Sequence, residues 1–193
     1  MDRRYQGRSD QPLAPEGTAD ALALAERLRG RPIARILASP LQRAAATARI
    51  LAAGLGLAPP AFDPRLAEIA YGAWEGLTQA EIRQRWPEEL RRWKRAPETM
   101  RFPGGESLDE VRARLLAFLS DEALRMERRM GAVLAVTHAG LIRIAALEAS
   151  GRSLAGFRRI EVAPAGAWQF RCHVESGTEC GAVRIEESES CVS

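Results

Sequence analysis

The stretch of sequence that decides the fold is Ala132-Val133-Leu134-Ala135-Val136-Thr137-His138-Ala139-Gly140. Its first six residues, of which only Thr137 is polar, form a run that is typical of a strand buried on both faces of a parallel sheet. The run ends at His138, and apolar residues at helical spacing then predict a helix over 141–149. A buried strand, a polar turn and a helix in this order are the repeating unit of an α/β domain.

The same alternation of helices and strands precedes this unit. Two capping boxes, Thr78-x-x-Glu81 and Ser107-x-x-Glu110, predict the beginnings of two helices. The other patterns predict helices over 15–29 and 40–53, the second ended by Gly54, and strands over 33–38 and 63–66. We therefore expect an α/β fold, a three-layer α/β/α sandwich with a mostly parallel sheet.

The C-terminal part of the chain has a different composition. The segments 158–162 and 168–173 are predicted to form two closing strands, an antiparallel edge pair around Pro164-Ala165-Gly166. Residues 174–193 are mostly Ser, Glu, Gly and Cys, which predicts a disordered tail. Residues 1–173 are accordingly predicted to form one domain.

Composition excludes several classes of protein. The chain has 193 residues, of which 46% are apolar, so it can bury a sizeable core and is not a disordered or collagen-like protein. No apolar run approaches the roughly 20 residues of a membrane-spanning helix. The start of the sequence is polar and has no signal-peptide core, so we expect a cytoplasmic protein without a membrane partner.

The basic residues are almost all arginine. Of the 28 basic residues only Lys94 is lysine, which suits an anionic ligand but is also the composition that a GC-rich genome produces. Acidic residues are interspersed among the arginines, so no nucleic-acid partner is expected.

The three cysteines lie near the C-terminus. An odd number of cysteines in a sequence without a signal peptide favours reduced thiols. Cys172, Cys180 and Cys191 could form a zinc site with His173, but no pair has the C-x-x-C spacing, so we expect no metal.

Polar side chains follow three of the predicted strands, where ligands bind in a parallel α/β sheet. These are Arg43, Glu68 and His138. Taken singly, each has an ordinary structural explanation: a solvated helix charge, a loop carboxylate and a core histidine. Together they suit a phosphate monoester, because an arginine can hold the phosphoryl oxygens, a histidine can compensate their charge, and a buried carboxyl group can protonate the leaving oxygen.

Five segments form a more specific pattern. They are, in chain order, Arg4-Tyr5-Gln6-Gly7-Arg8-Ser9-Asp10-Gln11-Pro12-Leu13, Ala38-Ser39-Pro40-Leu41-Gln42-Arg43-Ala44, Leu66-Ala67-Glu68-x-x-Tyr71-Gly72-x-Trp74-Glu75-Gly76, Pro103-Gly104-Gly105-Glu106-Ser107 and Val136-Thr137-His138-Ala139-Gly140. In this order they resemble the histidine phosphatase (phosphoglycerate mutase-like) superfamily. The third and fourth segments are most similar to the small bacterial α-ribazole and broad-specificity phosphatases.

This resemblance implies a two-step phosphoryl transfer through a phosphohistidine, with no metal and no cofactor. It makes Arg43 a phosphate-binding arginine, His138 the second histidine of the phosphate pocket and Glu68 the proton donor to the leaving group. The substrate, a small-molecule phosphate monoester, would be bordered by the remaining matched positions, namely Gln6, Gly7, Ser39, Tyr71 and Ala139.

The sequence departs from the family at the nucleophile. The family's nucleophilic histidine lies in an Arg-His-Gly motif upstream of the position of Gln6, on a strand in the middle of the sheet. The only histidines are His138 and His173, and neither matches that position. We therefore expect a truncated reading frame that lacks its first, central strand and is inactive as written. Two alternatives remain open: a non-catalytic relative that binds phosphorylated ligands or a protein partner, and a phosphoglycerate mutase-type phosphotransferase. The oligomeric state is not predicted.

Overall fold

The computed structural model describes residues 4–126, 131–174 and 183–187. Six α-helices and five strands are present in these ranges, connected by short 3₁₀ helices. The elements are α1 Pro15–Leu28, β1 Ile33–Ala38, α2 Gln42–Leu55, β2 Ala61–Phe62, α3 Gln79–Arg85, α4 Pro87–Arg95, α5 Leu108–Met126, β3 Ala132–Val136, α6 Ala139–Ala149, β4 Phe170–Val174 and β5 Val183–Glu187.

The main sheet has three parallel strands in the order β2-β1-β3. Alternate side chains of β1 enter two different cores. Ile36 and Ala38 pack with the apolar faces of α1 and α2, whereas Leu37 packs with residues of α4, α5 and α6. The two cores therefore lie on opposite faces of the sheet, and the three-layer α/β/α architecture is confirmed.

The strand β3 lies at one end of this sheet. It pairs with β1 along one edge, and no described residue pairs with its other edge. Although β3 is the most apolar strand, Ala132 and Ala135 are exposed and its other residues are only partly buried. Parallel strands are normally buried on both sides. The strand β3 therefore resembles an internal strand of a sheet that lacks a neighbour on its open edge.

Both predicted capping boxes are present. The Thr78 hydroxyl accepts a hydrogen bond from Glu81 N, and a Glu81 carboxylate oxygen accepts one from Thr78 N. Ser107 and Glu110 form the same reciprocal pair at the start of α5. These contacts satisfy donors at the helix N-termini, so the two helices begin where the sequence predicts.

The prediction of a strand over 63–66 is wrong. The strand β2 is two residues earlier, and Pro64–Leu66 is a 3₁₀ helix. The Asp63 side chain accepts a hydrogen bond from Arg65 N, 2.8 Å away, and Pro64 has the fixed φ suited to a first helical position. Similarly, α2 continues through Gly54 and ends at Leu55, because Gly56 adopts the left-handed conformation with φ of 66°.

The predicted pairing of 158–162 with 168–173 is also wrong. Arg158 and Arg159 end a 3₁₀ helix, and β4 pairs instead with β5 in antiparallel register, Phe170 opposite Glu187. Residues 183–187, which the sequence assigned to a disordered tail, thus form a strand. The rest of that segment, 175–182 and 188–193, lies outside the described residues.

Candidate active site

His138 lies between β3 and α6, at the carboxyl end of the main sheet. Its side chain is buried, and Nε2 lies 2.8 Å from the Ser39 hydroxyl, which follows β1. Burial, reinforced by the positive charges of Arg43 and Arg114, lowers the pKa of His138 to about 3. The imidazole is therefore neutral at physiological pH and offers one N–H donor and one acceptor nitrogen.

Ser39 links the ends of β1 and β3. Its backbone N–H donates to Val136 O at 2.9 Å, and its hydroxyl lies between His138 and the backbone N–H of Leu41. The side chain is fully buried. Ser39, a predicted substrate-binding residue, therefore contacts the predicted catalytic residue His138 and fixes the orientation of that ring.

Arg43 lies in the first turn of α2, after the same strand. Its guanidinium donates to Gly7 O at 2.7 Å and to Ser9 O at 3.0 Å. Burial lowers the pKa of Arg43, while the acidic groups of Glu68, Asp10 and Glu75 act in the opposite direction. An arginine stays charged in proteins, so Arg43 supplies a partly buried cation that holds the N-terminal segment across the sheet edge.

The N-terminal segment passes directly over this edge. Gly7 is buried and has φ of 54°, and a Cβ there would overlap Glu75 Oε1. That carboxylate oxygen accepts hydrogen bonds from Arg8 N at 2.9 Å and Tyr71 N at 3.0 Å. Gln6 is exposed beside it, and its backbone oxygen accepts from Ser9 N. The structure therefore brings the predicted residues Gln6 and Gly7 to the border of the site.

Glu68 follows the 3₁₀ helix after β2 and reaches the start of α6. Oε1 accepts from Ile69 N at 2.9 Å, and Oε2 lies 3.4 Å from Gly140 N. Burial raises the pKa of Glu68, against the lowering effects of these N–H groups and of Arg43 and Arg143. A carboxyl group with a raised pKa is suited to donate a proton.

Gly140 is the residue that permits this contact. It is the second residue of α6, after Ala139, and a Cβ at this position would overlap Glu68 Oε1 and come within 2.8 Å of Ile69 Cδ1. The first-turn N–H groups of α6 and the positive end of its dipole therefore face the same space as Glu68 and His138. Ala139 is placed at this helix start, as the sequence predicts.

An aromatic cluster forms one wall near Glu68. The Tyr71 ring makes edge-on contacts with Tyr5, at a centroid distance of 5.2 Å, and with Phe102, at 4.8 Å. The Trp93 ring centre lies 4.9 Å from that of Phe102 and 6.5 Å from that of Tyr71. Burial and the negative charge of Glu68 raise the pKa of the Tyr71 hydroxyl, which stays neutral.

Arg114 and Glu106 are site residues that sequence reasoning missed. From α5, Arg114 donates to the backbone oxygens of Arg65, Ala67 and Glu68, at 2.5–3.2 Å, and also pairs with Glu106. Glu106 also accepts from Ala70 N at 2.9 Å. The only available signal was the position of Glu106 in the matched Pro-Gly-Gly-Glu-Ser segment. These two residues fix the loop that carries Glu68.

No cluster of metal-ligating side chains is found within residues 4–126, 131–174 and 183–187. His173 lies on β4, opposite Arg184 of β5, and not at the end of the main sheet. No helix in these ranges is long and apolar enough to cross a membrane.

The family model described as the histidine phosphatase superfamily (branch 1) matches residues 1–179. The chain belongs to this superfamily. Phosphoserine phosphatase 1 of Hydrogenobacter thermophilus is 33% identical over 169 residues, which cover 88% of this chain and 74% of that protein. The 2,3-bisphosphoglycerate-dependent phosphoglycerate mutase 2 of Gloeobacter violaceus is 32% identical over 165 residues, covering 84% and 75%.

Solved structures of two phosphatases share the fold. A mycobacterial glucosyl-3-phosphoglycerate phosphatase is 30% identical with a TM-score of 0.81, covering 98% of this chain and 93% of the other. The α-ribazole phosphatase from Shigella flexneri has a TM-score of 0.77 and covers 97% and 90%, and at 21% identity it shows the fold alone. Both phosphatases and mutases are therefore among the relatives of this histidine phosphatase superfamily member.

Proposed function

We propose that this protein is a phosphomonoesterase that works through a phosphohistidine. The observation that carries the proposal is the convergence of Arg43, a neutral His138 and a Glu68 with a raised pKa at one end of the main sheet. Transfer of a phosphoryl group from an ester to a histidine uses a cation, a neutral hydrogen-bonding ring and a proton donor, in addition to the nucleophile itself.

The roles follow from the charges. Arg43 binds phosphoryl oxygens through the guanidinium N–H groups that do not donate to Gly7 O and Ser9 O. His138 and the N-terminus of α6 compensate the charge on those oxygens. A histidine nitrogen attacks phosphorus, the ester P–O bond breaks, and the proton of Glu68 passes to the leaving oxygen. Water then attacks the phosphohistidine and gives a proton back to Glu68, which releases inorganic phosphate.

The attacking histidine is the part that these residues do not supply. His138 is tied to Ser39, and His173 is on β4. We propose that the nucleophile is a histidine outside these 193 residues, carried on an apolar strand that pairs with the open edge of β3 and ends beside Arg43. The 193-residue chain alone would then be inactive.

The proposed substrate is a small soluble phosphate monoester in the cytoplasm, with no nucleic-acid or membrane partner. Relatives named for phosphoserine and for glucosyl-3-phosphoglycerate support a phosphorylated metabolite. A non-catalytic role is the second candidate. Its support is that Arg43 and His138 can hold an anion without any nucleophile.

The test compares three proteins: the 193-residue chain, the chain extended by an apolar strand ending in Arg-His-Gly, and the same extension with Arg-Ala-Gly. Each is assayed with p-nitrophenyl phosphate and quenched for acid-labile, base-stable phosphorylation. We expect turnover and label only with Arg-His-Gly. Equal turnover by the 193-residue chain would refute the proposed nucleophile. A folded Arg-His-Gly protein that binds phosphate without turnover would favour the non-catalytic role.

A further inference from the structure

The helix α2, which carries Arg43, is capped by a residue from a distant part of the chain. Its N-cap position is occupied by Leu41, whose side chain cannot accept a hydrogen bond. The backbone N–H of the first helical residue, Gln42, donates instead to Asp10 Oδ1 at 2.7 Å, from a residue 32 positions earlier. A carboxylate at this position satisfies a free donor and interacts favourably with the positive end of the helix dipole.

The side chains of α2 extend this junction to the whole of residues 7–10. Gln42 Nε2 donates to Asp10 O at 3.1 Å and lies 3.2 Å from Asp10 Oδ2. The next residue, Arg43, donates to Gly7 O at 2.7 Å and to Ser9 O at 3.0 Å. Two consecutive residues in the first turn of α2 thus hold the N-terminal segment. If Asp10 moved away from α2, the two carbonyl oxygens that orient the Arg43 guanidinium would move with it.

The charge of Asp10 and its hydrogen bonds have opposite effects on an anion site. Asp10 is one of the acidic groups whose charge acts on Arg43, and a negative charge beside Arg43 weakens the binding of a phosphate by Coulomb repulsion. The hydrogen bonds to Gln42 keep the acceptors of Arg43 in place and so favour a fixed guanidinium orientation. The sign of the effect of removing Asp10 therefore shows which of the two dominates.

We infer that Asp10 is a positioning residue for Arg43, an inference that rests on the proposed function, in which Arg43 binds the phosphoryl group. By capping α2, Asp10 fixes Gly7 O and Ser9 O, and thereby the direction of the guanidinium N–H groups that remain for the phosphate. Asp10 itself does not contact the substrate. Because docking of residues 7–10 and binding of phosphate both use the same guanidinium, each stabilises the other.

The experiment measures the dissociation constant of inorganic phosphate by calorimetry for the 193-residue protein and its Asp10 variants. We expect Asp10→Ala to bind phosphate about tenfold more weakly, as when only about a tenth of the molecules keep the segment docked. Asparagine is also a favourable cap and can accept from Gln42 N, so Asp10→Asn should bind phosphate at least as tightly as the unsubstituted protein. Loss of the charge alone would strengthen phosphate binding in both variants.

Two further variants serve as a second test and a control. Gln42→Ala loses only the side-chain contacts with Asp10, so it should weaken binding by roughly threefold, and it carries the test if Asp10→Ala does not fold. Ser107→Ala removes the cap of α5, where the Ser107 hydroxyl accepts from Glu110 N at 3.3 Å. It should lower the free energy of unfolding as other cap losses do without changing the dissociation constant of phosphate.

Hydrogen exchange supplies a readout that a merely structural role would not move. The amides of Arg8 and Ser9 donate to Glu75 Oε1 and Gln6 O within the N-terminal segment and its support. Saturating phosphate should slow their exchange in the unsubstituted protein and in Asp10→Asn, and should slow it less in Asp10→Ala. A residue that only stabilised the fold would raise or lower exchange equally with and without phosphate.

The outcomes separate this inference from the proposed function. A folded Asp10→Ala protein that binds phosphate as tightly as the unsubstituted protein, or more tightly, overturns the positioning role and leaves the phosphate pocket intact. Equal weakening in Asp10→Asn or in Ser107→Ala overturns it as well, because the first keeps the cap and the second does not touch α2. Failure of the unsubstituted protein to bind phosphate overturns both this role and the proposed role of Arg43.

Discussion

Replacement of Gly140 by alanine tests the contact between Glu68 and α6. Gly140 lies within a helix and does not have a positive φ. On helix propensity alone, Gly140→Ala would stabilise the protein by up to about 1 kcal/mol. The new Cβ would, however, overlap Glu68 Oε1 and lie 2.8 Å from Ile69 Cδ1 and 2.9 Å from Ile69 Cγ1. These neighbours decide the sign of the effect.

The expected magnitude follows from which neighbour can move. Ile69 is fully buried in the core of α4, α5 and α6 and cannot retreat. Glu68 must therefore turn away and lose its hydrogen bond from Gly140 N. Overpacking costs about 1–3 kcal/mol and a lost hydrogen bond about 1 kcal/mol. After the helix-propensity gain, Gly140→Ala should lower the free energy of unfolding by about 2 kcal/mol, which corresponds to a Tm lower by roughly 4–8 °C.

Gly17→Ala is the matched control. Gly17 lies in the first turn of α1, and a Cβ there would meet only the end of the flexible Leu13 side chain, with Cδ1 at 2.6 Å. Leu13 can rotate, so this substitution should be neutral or slightly stabilising. Urea and thermal unfolding measure both variants. The reasoning fails if Gly140→Ala is as stable as the parent protein while Gly17→Ala behaves as expected.

Three further predictions concern titratable and charged residues. Because the pKa of His138 falls from 6.5 to about 3 on folding, the unfolded chain binds the extra proton, and stability is lost as pH falls through this window. In urea titrations from pH 6.5 to 5, His138→Gln should remove a slope approaching about 1.4 kcal/mol per pH unit, and an unchanged slope contradicts a buried neutral ring. The raised pKa of Glu68 has the opposite effect on stability, because the folded protein holds this proton more tightly than the unfolded chain does. Its contribution to the free energy of unfolding falls as pH rises above the ordinary pKa of 4.5. Glu68→Gln should therefore make the loss of stability on acidification steeper. Arg114→Gln should destabilise the protein by about 3 kcal/mol, because the carbonyls of the Glu68 loop lose their donor. The exposed ion-pair variant Arg101→Gln should cause no measurable change in urea unfolding, and equal effects of the two would contradict the role of Arg114.

The order of elements and the central site residues could be predicted because they depend on local patterns. A capping box of only four residues marks the beginning of α3, and another marks the beginning of α5. Arg43 and His138 could be placed because each follows an apolar strand, and parallel strands end at a common edge. Glu68 could be placed in the site although its preceding strand was assigned two residues too late.

The C-terminal pairing could not be predicted because it depends on distant residues. Phe170 pairs with Glu187, and the apolar–polar alternation of 183–187 extends over only four residues within a segment rich in Ser and Glu. The alternative partner, 158–162, also has two apolar residues among five, but its first two residues end a 3₁₀ helix that begins at Leu154. The composition of residues 174–193 therefore predicted a disordered tail, whereas pairing with the distant strand β4 makes 183–187 a strand.

The roles of individual arginines are the clearest limit of sequence reasoning. Arg112 and Arg114 lie two residues apart on α5, yet Arg112 pairs with Glu148 and Arg114 holds the Glu68 loop. Because nearly every cation in this chain is arginine, residue type carries no information about function. Burial without a carboxylate partner does carry it, since an uncompensated guanidinium is costly unless a ligand completes it. This criterion selects Arg43, the residue that we propose binds the phosphoryl group.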